Sequence, residues 1–161
     1  MTEPFPPRFA ADRMLGRLAR TLRLLGFDTV YAPDITPARL LEVARSEDRI
    51  VLTRGDAQKR FLGAKNILSL ASDDPPQQLR EVVRQFTLDP RAGLWTRCTL
   101  CNGAIEKVDK QQVKLRVETK VFQVYDQFYR CARCDHIYWQ GSHVERILKN
   151  LAALLPEPPR P

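Results

Sequence analysis

The chain has 161 residues, and the 43% that are hydrophobic supply enough material for a packed core, which excludes a wholly disordered protein. Lysine and arginine number 26 against 19 aspartates and glutamates, and the resulting net charge of +7 suits a phosphate-rich partner, although it also serves plain solubility. No stretch approaches the roughly 18 apolar residues of a membrane span, and the opening MTEPFPPRFA lacks the apolar segment of an export signal, so we expect a cytoplasmic protein without membrane contact.

Short apolar runs alternate with helical patterns in the first part of the chain. The predicted order is strand 8–11, helix 13–25, strand 27–31, helix 37–46, strand 49–53, strand 66–70 and helix 75–86. Strands separated by helices predict βαβ units and a parallel sheet flanked by helices. Right-handed crossovers bring the carboxyl ends of such strands to one edge, where ligands of open α/β sheets bind.

The character of the sequence changes after residues 88–96 (LDPRAGLWT), which we interpret as a linker. Val113, Leu115, Val117 and the run 121–124 predict short antiparallel strands, and residues 143–155 predict a closing helix. The proline-rich end is expected to be disordered. We therefore predict an α/β domain over 1–90, a small ribbon with its C-terminal helix over 91–155, and a tail over 156–161.

Four cysteines form two C-x-x-C pairs separated by residues 102–130: Cys98 with Cys101, and Cys131 with Cys134. Thiolates at this spacing on a tight turn supply two of the four tetrahedral ligands of Zn²⁺, and two such pairs complete the site. Because all four positions are then thiolate, the zinc has no open position for catalysis and would hold the fold. A ribbon of this size has too small a core to fold easily without such a metal.

Other interpretations of the cysteines and histidines stay open at this point. A redox dithiol is the alternative to a metal site, although two separate pairs make it less attractive. His136 and His143 are the two histidines, and either could replace one thiolate. His143 could instead contact nucleic acid. Tyr138 and Trp139 lie beside the second pair and could stack on unpaired bases or belong to the ribbon core.

Acidic residues follow the predicted strands of the first domain. Asp12, Asp34 and Asp56 come after the first three strands, and Glu42 lies on the second predicted helix. Carboxylates gathered at one sheet edge can hold Mg²⁺ or Mn²⁺, which activates water and neutralises charge on a phosphodiester. The alternatives are helix N-caps for Asp34 and Asp74 and a solvated helix face for Glu42.

Arginines occupy one side of the first predicted helix. Arg13, Arg17 and Arg20 share one face, opposite the leucines, and Arg23 falls beside them. This face begins next to Asp12, and Arg54 follows the third strand. An arginine stripe leading to a carboxylate suits a phosphate backbone, whereas the alternative is an ordinary solvated helix face.

Several segments together resemble the Mut-seven carboxy-terminal RNase domain family. They are FAADRMLGRLAR at 9–20, LRLLGFD at 22–28, RIVLTR at 49–54, and the two cysteine pairs with Arg97, Asn102-Gly103 and IYWQGSH at 137–143. The resemblance covers roughly residues 8–147. It implies a PIN-like Rossmannoid domain fused to a zinc ribbon, with metal-dependent cleavage of RNA and Asp12 as the best-matched metal ligand. The family usually reads Thr-Arg-Asp after the third strand, whereas here Gly55 precedes Asp56.

Three functions are therefore compared. In the first, the protein is a ribonuclease in which Asp12 and Asp56 hold a divalent ion with Asp34 or Glu42, while the arginines position RNA. In the second, a catalytically inactive module binds RNA or ribosomes with the same fold and basic face. The third is a zinc-ribbon adaptor for proteins, which predicts no salt-sensitive RNA binding. The convergence of the four acids in one cleft would distinguish the first from the second.

Overall fold

The computed structural model describes residues 6–154, without the side chains of residues 57, 58, 143, 151 and 154. It divides the chain into two compact units, residues 1–102 and 103–161. This boundary lies after the first cysteine pair, later in the chain than the boundary expected from the sequence. The tail predicted over 156–161 lies outside the described residues. Within the part that the structure describes, no helix has the length and apolar character that crossing a membrane demands.

The first unit is an α/β fold built on a parallel sheet. Its elements are β1 (Phe9–Ala11), α1 (Gly16–Leu24), β2 (Thr29–Val30), α2 (Pro37–Ser46), β3 (Ile50–Arg54), α3 (Ala57–Arg60), β4 (Ile67–Leu70) and α4 (Pro75–Gln85). The four strands are ordered β2-β1-β3-β4, and every pairing is parallel. The predicted fold class, a parallel sheet flanked by helices, is confirmed. The short helix α3 was not predicted.

Two successive residues of β1 show which helices cover each side of the sheet. Phe9 packs against Phe86 at the end of α4, with ring centroids 5.5 Å apart. The next residue, Ala10, belongs to a buried cluster with Leu40 of α2 and Val51 of β3. Since successive side chains of a strand point to opposite faces, α4 and α2 cover opposite faces of the sheet. Helix α1 packs beside α4.

Helix starts in this unit follow from their capping residues. The Thr36 hydroxyl accepts a hydrogen bond from the Arg39 amide at the start of α2, and Pro37 occupies the first turn. Asp74 caps α4 in the same way, by accepting from the Gln77 amide. The N-cap alternative is therefore confirmed for Asp74. Asp34 lies in the turn before Thr36 and caps no helix.

A partly buried ion cluster lies where β1 and β3 begin. The Arg49 side chain, 4% exposed, donates to Asp28 Oδ1 at 2.6 Å and to Glu47 Oε2 at 2.6 Å. Asn102 Nδ2 also donates to Asp28 Oδ1, at 2.8 Å. Partial burial of Asp28 opposes its ionisation, but the hydrogen bonds from Arg49 and Asn102 outweigh burial and lower the pKa of Asp28 to about 2. The ionised carboxylate therefore stabilises the first unit.

Replacing Asp28 with asparagine should reveal this stabilisation as a pH-dependent difference from wild type. The folded pKa lies below the unfolded one, so the contribution is fully present above about pH 4 and is lost as the pH falls towards 2. We expect about 1–2 kcal/mol near neutral pH. Urea unfolding of wild type and Asp28→Asn at a series of pH values measures the difference in their free energies of unfolding. Effects of pH that are common to the two proteins cancel in this difference. A difference that does not shrink on acidification would contradict the assignment.

The second unit is built on a three-stranded antiparallel sheet. Its elements are β5 (Ile105–Val108), α5 (Thr119–Val124), β6 (Phe128–Cys131), β7 (Ile137–Trp139) and α6 (Ser142–Leu154), with the order β5-β6-β7 in the sheet. Val113, Phe128 and Ile137 form its buried centre. The predicted closing helix corresponds to α6.

The strands predicted over residues 113–124 are wrong. This segment forms a 3-10 turn at Lys110–Val113 and the helix α5. Val121 of α5 packs against the centre of the second unit, together with Val117 before the helix and Tyr125 after it. Tertiary packing of this segment therefore outweighs the β propensity of its valines.

Candidate nucleic-acid and metal sites

Asp12 ends β1 and is almost completely buried, with 1% of its surface exposed. Its Oδ1 accepts from the Arg13 amide at 2.8 Å, which caps the 3-10 turn that leads into α1. Its Oδ2 accepts from the Thr53 hydroxyl at 2.7 Å and pairs with Arg60 Nη2 at 2.8 Å. The register of β1 beside β3, with Ala11 opposite Leu52, places Asp12 and Thr53 together. Both carboxylate oxygens are thus hydrogen-bonded within the protein.

The other predicted acids lie apart from Asp12. Asp34 is exposed in the turn before α2. Glu42 pairs with Arg39 at 2.7 Å on the solvent side of α2, as the solvated-face alternative predicted. Asp56 pairs with Lys59 at 2.8 Å, and its side chain is 62% exposed.

The fit of Mg²⁺ or Mn²⁺ can be tested against this arrangement. Such ions take several oxygen ligands in one shell. Among the described residues, the four cysteines are the one group of three or more His, Cys, Asp or Glu that lies close enough to share an ion. The structure therefore does not gather Asp12, Asp34, Glu42 and Asp56 into such a group. The guanidinium of Arg60 already supplies the positive charge beside Asp12. The four acids in this arrangement do not fit a shared divalent ion.

An open cleft of about 450 Å³ lies along the N-terminal half of α1. Four arginines line it, and we call it the arginine cleft: Arg13, Arg17, Arg20 and Arg54. Asp73 is the one acid in its lining. The structure thus brings together four of the five arginines that the sequence analysis selected for RNA contact.

Local structure explains why these arginines converge. Arg13 begins the 3-10 turn that leads into α1, Arg17 lies in the first turn of α1, and Arg54 ends the strand β3. Tyr31 donates its hydroxyl hydrogen to the Arg13 carbonyl at 3.2 Å. A Cβ on Gly16 would come within 2.5 Å of the Tyr31 hydroxyl oxygen, so a larger residue at this position would displace the Tyr31 side chain from its place in the lining.

Arg23 has a structural role apart from the predicted RNA contact. Its guanidinium is buried and donates to four carbonyl oxygens, at distances of 2.8–3.2 Å. The acceptors are Thr29, Tyr31, Thr99 and Leu100. Burial lowers the pKa of Arg23. Arg23 is not among the residues that line the arginine cleft, and its role as an RNA contact stays a prediction. Within the fold, Arg23 fixes the turn that carries the first cysteine pair.

The two cysteine pairs adopt the same backbone turn. The residues that follow them, Asn102 and Asp135, have left-handed conformations with φ of 66° and 63°. Each donates its amide hydrogen to the carbonyl of the first cysteine of its pair at 3.0 Å. The amides of the second cysteines point towards the sulfur of the first, at 3.5 and 3.4 Å. The two pairs are therefore closed by the same set of backbone contacts.

The sulfur atoms of Cys98, Cys101, Cys131 and Cys134 all lie within 4.8 Å of one another. The predicted four-cysteine cluster is therefore confirmed, and its donor set suits Zn²⁺. His136 is exposed and stands outside this group, with its ring against Tyr138. The side chain of His143 lies outside the described residues. Trp139 packs against Phe128 in the core of the second unit, as the alternative interpretation proposed.

Comparison with known proteins identifies the family of this chain. The family model described as the Mut7-C RNase domain matches residues 7–151. The chain belongs to the Mut7-C RNase domain family. Among curated proteins, the human exonuclease mut-7 homolog is 37% identical over 101 residues, which cover 59% of this chain and 12% of that protein. No solved structure matches the chain.

Family membership confirms the resemblance and assigns the chain to a nuclease family. Gly55 stands where an acid usually follows the Thr-Arg of this family, and its φ of 74° directs the chain into α3. Sequence reasoning missed Thr53 and Arg60, which are the hydrogen-bond partners of Asp12. Alternation along β3 could have indicated Thr53. No local pattern indicates Arg60, since its approach depends on the path of the chain after Gly55.

Proposed function

We propose that this Mut7-C domain binds RNA through the arginine cleft and does so without a divalent ion at Asp12. The observation that carries the proposal is that four arginines, Arg13, Arg17, Arg20 and Arg54, line one open cleft. Guanidinium groups bind phosphate through paired hydrogen bonds as well as charge. Membership of an RNase family supports RNA as the polyanion.

The contacts of Asp12 favour binding over cleavage. A carboxylate next to Arg13 would repel phosphate if it were bare. Arg60 neutralises it, and the Thr53 hydroxyl and the Arg13 amide donate hydrogen bonds to its two oxygens. The positive potential of the arginine cleft is therefore kept where RNA approaches.

Metal-dependent RNA cleavage at Asp12 is the second candidate function. Membership of the family and the burial of Asp12 at the carboxyl edge of the sheet favour it. It requires Arg60 to leave Asp12 and further oxygen ligands to join it. Asp34, Glu42 and Asp56 are the carboxylates that the sequence analysis offers for this role.

The same proposal assigns a structural zinc ion to the cysteine cluster. The four sulfurs supply a complete tetrahedral set, so a bound ion would have no open position and would not act on RNA. Two identical turns, each closed by a left-handed residue, support this role.

One experiment separates the candidate functions. The full chain and Asp12→Asn are incubated with end-labelled single-stranded RNA, with and without Mn²⁺, and binding is followed by anisotropy over a series of KCl concentrations. We expect both proteins to bind RNA with an affinity that falls as the KCl concentration rises. We expect no Mn²⁺-dependent cleavage that is present in wild type and lost in Asp12→Asn. Thermal melts check that the variant is folded.

Other outcomes of this experiment overturn the proposal in different ways. Cleavage that needs Mn²⁺ and disappears in folded Asp12→Asn would establish the ribonuclease. The absence of salt-sensitive binding would refute both RNA functions and favour the protein adaptor.

A further inference from the structure

The sheet of the second unit has two chemically different faces. On one face, Phe128 of β6 pairs with Val108 and Trp139 of its neighbouring strands and packs into the core. On the other face, Tyr129 stands between Lys107 of β5 and Tyr138 of β7. Cross-strand partners share a face, so these three side chains form one row across all three strands.

Aromatic rings dominate this second face, and Lys107 adds one positive charge. His136 extends the row, with its ring centroid 4.8 Å from that of Tyr138 and the two planes at 70°. Lys107 and His136 are exposed, and the two tyrosines are half-buried. Glu106, the one acid within the three described strands, has the register of the opposite face and pairs with Arg130 at 3.2 Å. The strand residues of the second face therefore contribute a cation and no carboxylate.

We propose that this face, which we call the aromatic face (Lys107, Tyr129, His136 and Tyr138), stacks the unpaired bases of single-stranded RNA. The inference rests on the proposed RNA-binding function and specifies its substrate class. Aromatic side chains on a sheet stack on bases of any sequence, while a neighbouring lysine holds the backbone phosphate. A duplex offers no such bases, since its own bases stack on each other. Because these strand positions carry no carboxylate, they do not repel the phosphates of a polyanion.

Cross-strand tyrosines also stabilise a sheet without any ligand, and the test must distinguish the two roles. In the double variant Tyr129→Leu/Tyr138→Leu, apolar bulk is kept and the rings are removed. Its matched control, Tyr129→Phe/Tyr138→Phe, keeps the rings and removes the hydroxyls. All proteins are used as full chains, and thermal melts are recorded for each.

The measurement is the affinity for one fluorescent RNA strand, alone and annealed to its complement. We expect wild type to prefer the single strand. The leucine variant should lose about tenfold or more in single-strand affinity, because base–aromatic stacking contributes strongly to such binding. Its duplex affinity should stay near that of wild type, and the phenylalanine variant should behave like wild type with both RNAs.

Two results would overturn the aromatic face as a base-stacking site. One is unchanged affinity for the single strand in a folded leucine variant, which would show that the tyrosine rings do not contribute to RNA binding. The other is an equal loss for strand and duplex with a lowered melting temperature, which indicates a purely structural role. Charge reversal in the arginine cleft distinguishes this failure from failure of the proposed function. If that reversal abolishes RNA binding while the tyrosine variants bind normally, the arginine cleft is supported as an RNA-binding site and the aromatic face is refuted.

Discussion

Replacement of Cys131 with serine is expected to abolish stoichiometric zinc binding and to unfold the second unit. The sulfur of Cys131 is buried and accepts the amide hydrogens of Arg133 and Cys134 at 3.3 and 3.4 Å. Structural Zn²⁺ contributes roughly 10–16 kcal/mol to the folding of small modules, which equals or exceeds the total stability of about 5–15 kcal/mol of a typical domain. The buried centre of the second unit, Val113, Phe128 and Ile137, is too small to compensate.

Metal analysis of the purified protein and far-ultraviolet circular dichroism measure this effect. Wild type should carry one zinc per chain, and a strong chelator should lower its melting temperature. The control is His136→Asn, which removes a potential ligand near the second cysteine pair and should keep the zinc, because His136 stands outside the cysteine cluster. A wild-type chain without zinc that melts at the same temperature with chelator would refute the structural ion.

The parallel sheet could be predicted because its strands are short, apolar and bounded by turn residues. Residues 50–54 show this most clearly, as a β-branched run whose centre is buried. Helix α2 was predicted with its observed bounds, because Thr36 and Pro37 form a local starting signal. Helix α5 lacks such a signal: Glu118 precedes it without a side-chain cap. Its helical state depends on contacts with strands that come later in the chain.

The features of the candidate site that could be predicted from sequence are likewise those that depend on local interactions. Most of the arginine cleft follows from local structure, since Arg17 and Arg20 lie on one face of α1 and Arg13 lies in the 3-10 turn directly before it. Arg23 is one turn further along, and its burial depends on carbonyls at Thr99 and Leu100, far along the chain. The pairing of Arg60 with Asp12 likewise joins residues that no sequence spacing connects. Helical periodicity therefore predicted the basic surface. It did not predict the long-range contacts of Arg23 and Asp12, which lie beside that surface.

Charge reversal by Arg17→Glu with Arg20→Glu is expected to remove most RNA binding. Both side chains are exposed on α1, so the fold should be unaffected. Hydrogen bonds to charged groups are worth about 1.5–3 kcal/mol each, which corresponds to roughly tenfold or more in affinity for each arginine. Loss of two phosphate contacts should also reduce the slope of log affinity against log salt by about 1.4 for a single strand.

A matched control separates the loss of the cleft from the loss of net charge. Arg39→Glu with Lys65→Glu changes the charge by the same amount at exposed positions. Arg39 lies on α2, on the opposite face of the sheet from α4, and Ala64, next to Lys65, packs against the cluster of α2. Anisotropy over a salt series should show near-normal affinity and slope for this control. Equal losses in both double variants would mean that RNA responds to overall charge, and the arginine cleft would then not be its binding site.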